Sequence, residues 1–137
     1  MSLVLDGSVA LSWSFVDEQN EDSSSLLRRV GRHGAVVPPL WRYEIANGLQ
    51  MAVRRRRIDI AFRDETLRDL ESLPIVIDQE CEAHLWSTTI KLAERHDLTV
   101  YDAAYLELAQ RRRLPLATFD AKLIAAAEAE LVPVVQE

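Results

Sequence analysis

One cysteine, Cys81, stands in a chain of 137 residues. It excludes an internal disulfide and fits a reducing compartment. Histidine is nearly as scarce: His33, His84 and His96 have no companion ligand at metal-binding spacing and read as ordinary surface or partly buried residues. No apolar run is long enough to span a bilayer, and no basic segment followed by an apolar one opens the sequence, so the expected location is the cytoplasm. Positive charge is also in deficit, with 16 Lys and Arg against 22 Asp and Glu and a net charge of -6. That argues against a protein that coats nucleic acid by bulk electrostatics. It does not exclude a nuclease, because acids gathered to hold a divalent metal make a chain look more acidic than its working surface is. There is no internal repeat, low-complexity segment or linker, and the expectation is a single domain over 1–137 that buries roughly two thirds of its unfolded surface.

What is present is an alternation of short apolar runs and longer amphipathic ones. Leu3-Val-Leu5 reads as a strand buried on both faces, and Ala35 to Val37, Ile75 to Ile77 and Leu116 to Phe119 read as three more. Leu131 to Val135 is a short edge strand, where Pro133 is tolerable. Helices are expected over Val9 to Phe15, with Trp13 in the core, and around Ser24 to Arg32, after a polar loop from Asp17 to Ser25. The proline pair Pro38-Pro39 sets up a helix near Leu40 with Trp41, Ile45, Leu49 and Ala52 as its core stripe. Ile58 to Leu73 follows as its hairpin partner, with apolar marks at Ile60, Phe62, Leu67 and Leu70. Further helices are expected over Cys81 to His96, marked by Leu85, Trp86, Ile90 and Leu92, over Thr99 to Arg113, and over Ala121 to Glu130. Strands alternating with helices imply a parallel sheet wrapped on both faces, with every strand's carboxyl end on one rim.

Four acids gather meaning from that arrangement. Asp6 and Asp120 each end a strand; each could also simply cap the helix that follows. Glu44 lies beside the core stripe of its helix and points inward, where a buried acid needs a partner such as a metal or a neighbouring arginine, Arg42 or Arg28. Asn47, one turn on, could brace it by a hydrogen bond. Asp102 matches Thr99 as a capping pair, yet it aligns with Leu106 and Ala109, away from Glu107 and Gln110. Asp78, Glu80 and Glu82 read as acids at the positive end of a helix dipole. Asp6, Glu44, Asp102 and Asp120 can all reach the same rim. Several carboxylates cannot share a small site as bare anions, and an oxygen-only set suits Mg²⁺ or Mn²⁺, ions fitted to phosphoryl transfer.

Two arginine runs, Arg54-Arg55-Arg56-Arg57 and Arg111-Arg112-Arg113, close helices. Solvated cations complementing the helix dipole are one reading, and contact with RNA or a protein partner is the other.

Taken in order, Leu5-Asp6-x-Ser8, Pro39-x-x-x-x-Glu44, Tyr101-Asp102-Ala-x-Tyr105-x-x-x-Ala109 and Ala117-Thr-Phe-Asp120-x-x-Leu123 resemble the PIN-domain ribonucleases, and most of all the VapC toxins of toxin-antitoxin pairs. The resemblance implies a three-layer α/β/α, PIN-like fold with a short central parallel sheet of four to five strands. It implies that Asp6, Glu44, Asp102 and Asp120 are the catalytic and metal-holding acids of a Mg²⁺- or Mn²⁺-dependent endoribonuclease, with hydroxyls from Ser8 and Thr118 beside them. It also implies a homodimer and a VapB-like antitoxin whose tail covers the acidic groove, met by the helical hairpin from Leu40 to Leu73. Gly7 departs from the small residues more usual there and implies a more mobile loop. Three rival readings stand beside this one. A haloacid-dehalogenase phosphatase needs a second Asp where Ser8 stands, and a receiver domain needs an acidic pair after the first strand. A binding module would keep the fold and use the acids only as caps.

Overall fold

The computed structural model describes residues Met1 to Glu137. Five short strands, β1 (Leu3–Leu5), β2 (Ala35–Val37), β3 (Ile75–Ile77), β4 (Leu116–Ala117) and β5 (Val134–Val135), form one sheet in the order β3-β2-β1-β4-β5. All pairings are parallel, with Val4 opposite both Val36 and Leu116 and Leu5 opposite Ala117. Parallel neighbours require crossovers, and helices supply them. These are α1 (Gly7–Ser12), α2 (Glu21–His33), α3 (Leu40–Arg54), α4 (Ile60–Glu71), α5 (Cys81–His84), α6 (Ile90–His96), α7 (Val100–Arg112) and α8 (Ala121–Ala129). The chain builds outward from β1 to β2 and β3, then returns to the other side for β4 and β5. Right-handed connections therefore send α1 to α4 to one face and α5 to α8 to the other. The result is the expected three-layer α/β/α arrangement, with five strands. No helix is long and apolar enough to cross a membrane.

Burial follows position in the sheet. Leu3, Val4 and Leu5 on the central strand are fully buried, whereas Val76 on the edge strand β3 is 59% exposed. The pairing runs one residue beyond two strands: the Asp6 N–H donates to the Ala117 carbonyl at 3.0 Å and the Asp78 N–H to the Val37 carbonyl at 2.8 Å. Both acids are thereby fixed at the carboxyl rim.

Several boundaries differ from the pattern-based expectation, each for a local reason. The helix α2 begins at Glu21 rather than Ser24, because Asn20 and Ser23 form a reciprocal cap in which each side chain accepts the other's backbone N–H. It runs through Gly31 and stops at Gly34, which has a φ of 77°; a Cβ there would lie 2.9 Å from the Pro74 carbonyl. Trp13 is only partly buried and donates its indole N–H to the Ser23 carbonyl at 2.7 Å. The helix α1 starts at Gly7, which is buried and stands on the first turn, so the loop expected to be mobile there is a helix end. The stretch from Cys81 to His96 is helical, but a π segment at Leu85–Thr89 rotates its faces and leaves Trp86 91% exposed. The apolar marks of α4 also fail to go inside: Ile60, Phe62 and Leu67 are exposed and only Leu70 packs against the core. Pro133 precedes β5, where its carbonyl accepts the Leu116 N–H at 2.8 Å.

Candidate active site

The strand order reverses between β1 and β4, and in open parallel sheets the crevice at such a switch point is where ligands bind. The structure places an open cleft of about 580 Å³ there, lined by Asp6, Ser8, Leu11, Glu44, Asn47, Gly48, Asp102, Phe119 and Asp120. All four acids singled out in the sequence, at positions spread from 6 to 120, line this one cavity, and no Lys, Arg or His does.

Each acid is held by a different element. Asp6, only 5% exposed, ends β1, and its Oδ2 accepts hydroxyls from Ser8 and Thr118, both at 2.8 Å. Its side chain makes no capping bond to α1, so the capping role does not explain it. Asp120 does cap: its Oδ1 accepts the N–H groups of Lys122 at 2.8 Å and Leu123 at 3.3 Å, and Thr118 in turn accepts the Asp120 N–H at 3.1 Å. Asp102 stands on the first turn of α7, where its N–H donates to the Thr99 hydroxyl at 3.1 Å. Glu44 reaches across from α3 on the opposite face of the sheet, and its Oε1 accepts the Tyr105 hydroxyl at 2.7 Å. The expected brace, Asn47, is exposed and lines the cleft without bonding to Glu44. Helix spacing hid this exchange, because Tyr105 lies 61 residues away in sequence.

The electrostatics are those of crowded anions. Burial raises the Glu44 carboxyl above its usual value, and Asp6 and Asp102 push the same way against the Tyr105 hydrogen bond. Burial raises Asp102 too, reinforced by Asp6 and Asp120 and opposed by the Thr99 hydrogen bond and the Lys122 charge. Lys122 itself is committed to Asp97 at 3.1 Å. No three of the carboxylates close on one point at metal-ligand distance. The donor set nonetheless fits a hard divalent ion: four carboxylates, no competing cation, and mutual repulsion that a cation removes.

The arginine runs divide. Arg111, expected to be solvated or to touch a partner, is instead enclosed by Glu107 at 2.7 Å, Asp78 at 3.0 Å and Glu80 at 3.3 Å, and Arg112 also reaches Asp78 at 3.3 Å. Glu107, assigned by the helical pattern to the outer face of α7, is 3% exposed, and Asp78 is a buried ion-pair partner as well as an acid at the start of α5, where it accepts the Glu80 N–H at 2.8 Å. Arg57 pairs with Asp17 at 2.9 Å and Glu18 at 3.2 Å and lies 4.3 Å over the Phe15 ring. Arg54, Arg55, Arg56 and Arg113 are exposed without an acidic partner. The periodicity of α7 alone could not have revealed the Arg111 network; the spacing of Glu107 and Arg111, four apart, was its only trace in sequence.

Comparison with known proteins agrees with the sequence motifs. The PIN domain family model matches residues 3–129. Ribonuclease VapC3 of Pyrobaculum aerophilum is 28% identical over 123 residues, covering 90% of this chain and 92% of that protein. Among solved structures, PAE2754 from Pyrobaculum aerophilum superposes with a TM-score of 0.68 at 22% identity, over 92% of this chain and 84% of the other. FitAcB from Neisseria gonorrhoeae gives a TM-score of 0.68 at 19% identity, over 98% and 96%. Likeness at those identities speaks for the fold alone.

Proposed function

The chain belongs to the PIN domain family, and from that membership we propose that it is an endoribonuclease toxin of the VapC kind, dependent on Mg²⁺ or Mn²⁺. The observation that carries this reading is the gathering of Asp6, Glu44, Asp102 and Asp120 in one cation-free cleft at the sheet's switch point. The name of the related ribonuclease from Pyrobaculum aerophilum supports RNA as the substrate.

In this reading the four carboxylates hold the ion. A divalent cation bound there supplies a water of lowered pKa and neutralises charge on the scissile phosphate. The chain's own groups do the rest. Ser8 and Thr118 fix the rotamer of Asp6, so that one of its oxygens is spoken for and the other is left to the cleft. The backbone of α8 orients Asp120 in the same way. Arg54, Arg55, Arg56 and Arg113, free of acidic partners, are available to phosphates or to an antitoxin. The expected protein partners are a second copy of the chain and a VapB-like antitoxin that covers the acidic cleft.

The test is cleavage of a structured RNA with Mn²⁺ and with EDTA. Wild type should cleave, EDTA should stop it, and Asp6→Asn and Asp102→Asn should each lose roughly a hundredfold or more, as expected when transition-state charge loses its stabilisation. Mn²⁺ should also raise the melting temperature of wild type and not of Asp6→Asn, since an ion stabilises only the state that binds it. Full activity in EDTA or in either variant would overturn the assignment.

A further inference from the structure

Glu44 is the one cleft acid whose carboxylate comes from the opposite layer of helices, so its pose is the least determined by the strand ends. Two contacts determine it. The phenol of Tyr105, a residue with no solvent exposure, donates to Oε1 at 2.7 Å. The other side of the carboxylate lies against Gly7, where a Cβ would sit 3.4 Å from the Glu44 Cβ and 3.5 Å from Oε2. Oε1 is thus bound to α7, and Oε2 is left beside the residue that follows Asp6.

We propose that Tyr105 is a positioning residue for the metal site: by holding Oε1 it fixes the Glu44 carboxylate, with Oε2 beside Gly7 next to Asp6, and so ties the two helical layers together at the cleft. The inference rests on the metal-dependent reading of the cleft given above. Groups that orient a metal-binding carboxylate through a hydrogen bond commonly contribute about 10- to 100-fold in metal affinity. Tyr105 thereby acts through Glu44 and touches neither the ion nor the RNA.

Binding of Mn²⁺ alone, followed by titration calorimetry on the full chain, tests this without any substrate. Tyr105→Phe, which removes one oxygen and keeps the ring, should weaken Mn²⁺ binding by about tenfold or more. In a Glu44→Gln background the same change should have no further effect on Mn²⁺ affinity, because the group it orients is already gone. A purely structural Tyr105 would lower the melting temperature equally in both backgrounds and leave Mn²⁺ affinity unchanged. Unchanged affinity in Tyr105→Phe, an equal loss in the Glu44→Gln background, or a Tyr105→Phe chain that does not fold would each overturn the proposal while wild type still binds Mn²⁺. Wild type that neither binds Mn²⁺ nor cleaves RNA would overturn the metal reading as well.

Discussion

Asp6 and Asp78 occupy equivalent places. Each is the residue just past a strand, each extends the sheet by one backbone hydrogen bond, and they are 5% and 4% exposed. Their company differs entirely. Asp78 is met by Arg111 and Arg112, and Arg111 also takes the buried Glu107. Burial works to raise the Asp78 carboxyl, but the Arg111 hydrogen bond, the Glu80 backbone N–H, the Cys81 thiol and the arginine charge bring it down to about 2. The Cys81 thiol beside it is pushed up to about 12, by burial first and then by Asp78, so it stays neutral. Asp6 meets only hydroxyls and other acids, and it raises the carboxyls of Glu44 and Asp102. One end of the rim is neutralised within the chain; the other has no Lys, Arg or His in its lining. Burial of an acid is therefore common to both ends; what separates them is that the fold brings arginines to Asp78 and none to Asp6.

The largest effect should come from giving the neutralised end the character of the other. Arg111→Met leaves Asp78 and Glu107 buried without their main partner, and should cost about 3–5 kcal/mol in urea unfolding, the usual toll of breaking a buried pair from one side. A loss under about 1 kcal/mol would mean that water already screens this cluster, as at a surface pair, and the contrast with the cleft would disappear.

That contrast also explains what could be read from the sequence. The strands, the layer order and the four cleft acids were legible because each rests on a local signal: an apolar triplet, a proline pair, an acid at a strand end for Asp6 and Asp120, an acid on the inward side of a helix for Glu44 and Asp102. Glu107 and Arg111 were misplaced because a 3.6-residue pattern identifies one buried stripe, and α7 is buried from Ala103 to Ala109 all the way round. The exposure of Trp86 could not be read from its apolar character, because it lies inside a π segment that breaks the 3.6-residue pattern. The bond from Tyr105 to Glu44 was invisible because it joins two helices on opposite faces of the sheet.

Acid and base should sort the two ends by opposite signs. Asp78 has its carboxyl lowered from 3.8 to about 2, so its contribution is present above about pH 4 and is lost as pH falls through about 2. That shift corresponds to roughly 2 kcal/mol. Glu44 and Asp102 have raised carboxyls, so their contribution is most favourable below the ordinary carboxylate range and declines as pH rises through their raised values. Denaturant unfolding across pH in EDTA should therefore show Asp78→Asn weaker than wild type near neutrality. Glu44→Gln with Asp102→Asn should be at least as stable as wild type there. Adding Mn²⁺ at neutral pH should reverse the second difference and leave the first. If both pairs moved together with pH, the two ends would be electrostatically alike.

The smallest effect separates two duties of one residue. Asp120 spends Oδ1 on the backbone N–H groups that open α8, a capping role that needs only an acceptor oxygen. Asn keeps that acceptor, so Asp120→Asn should unfold within a few tenths of a kcal/mol of wild type, while Asp120→Ala should lose about 1 kcal/mol. Cleavage should fall in both variants alike, because the charge is gone from both and a capped helix does not restore it. If Asp120→Asn retained full cleavage, Asp120 would be a cap and nothing more, and the cleft would hold its ion with three acids.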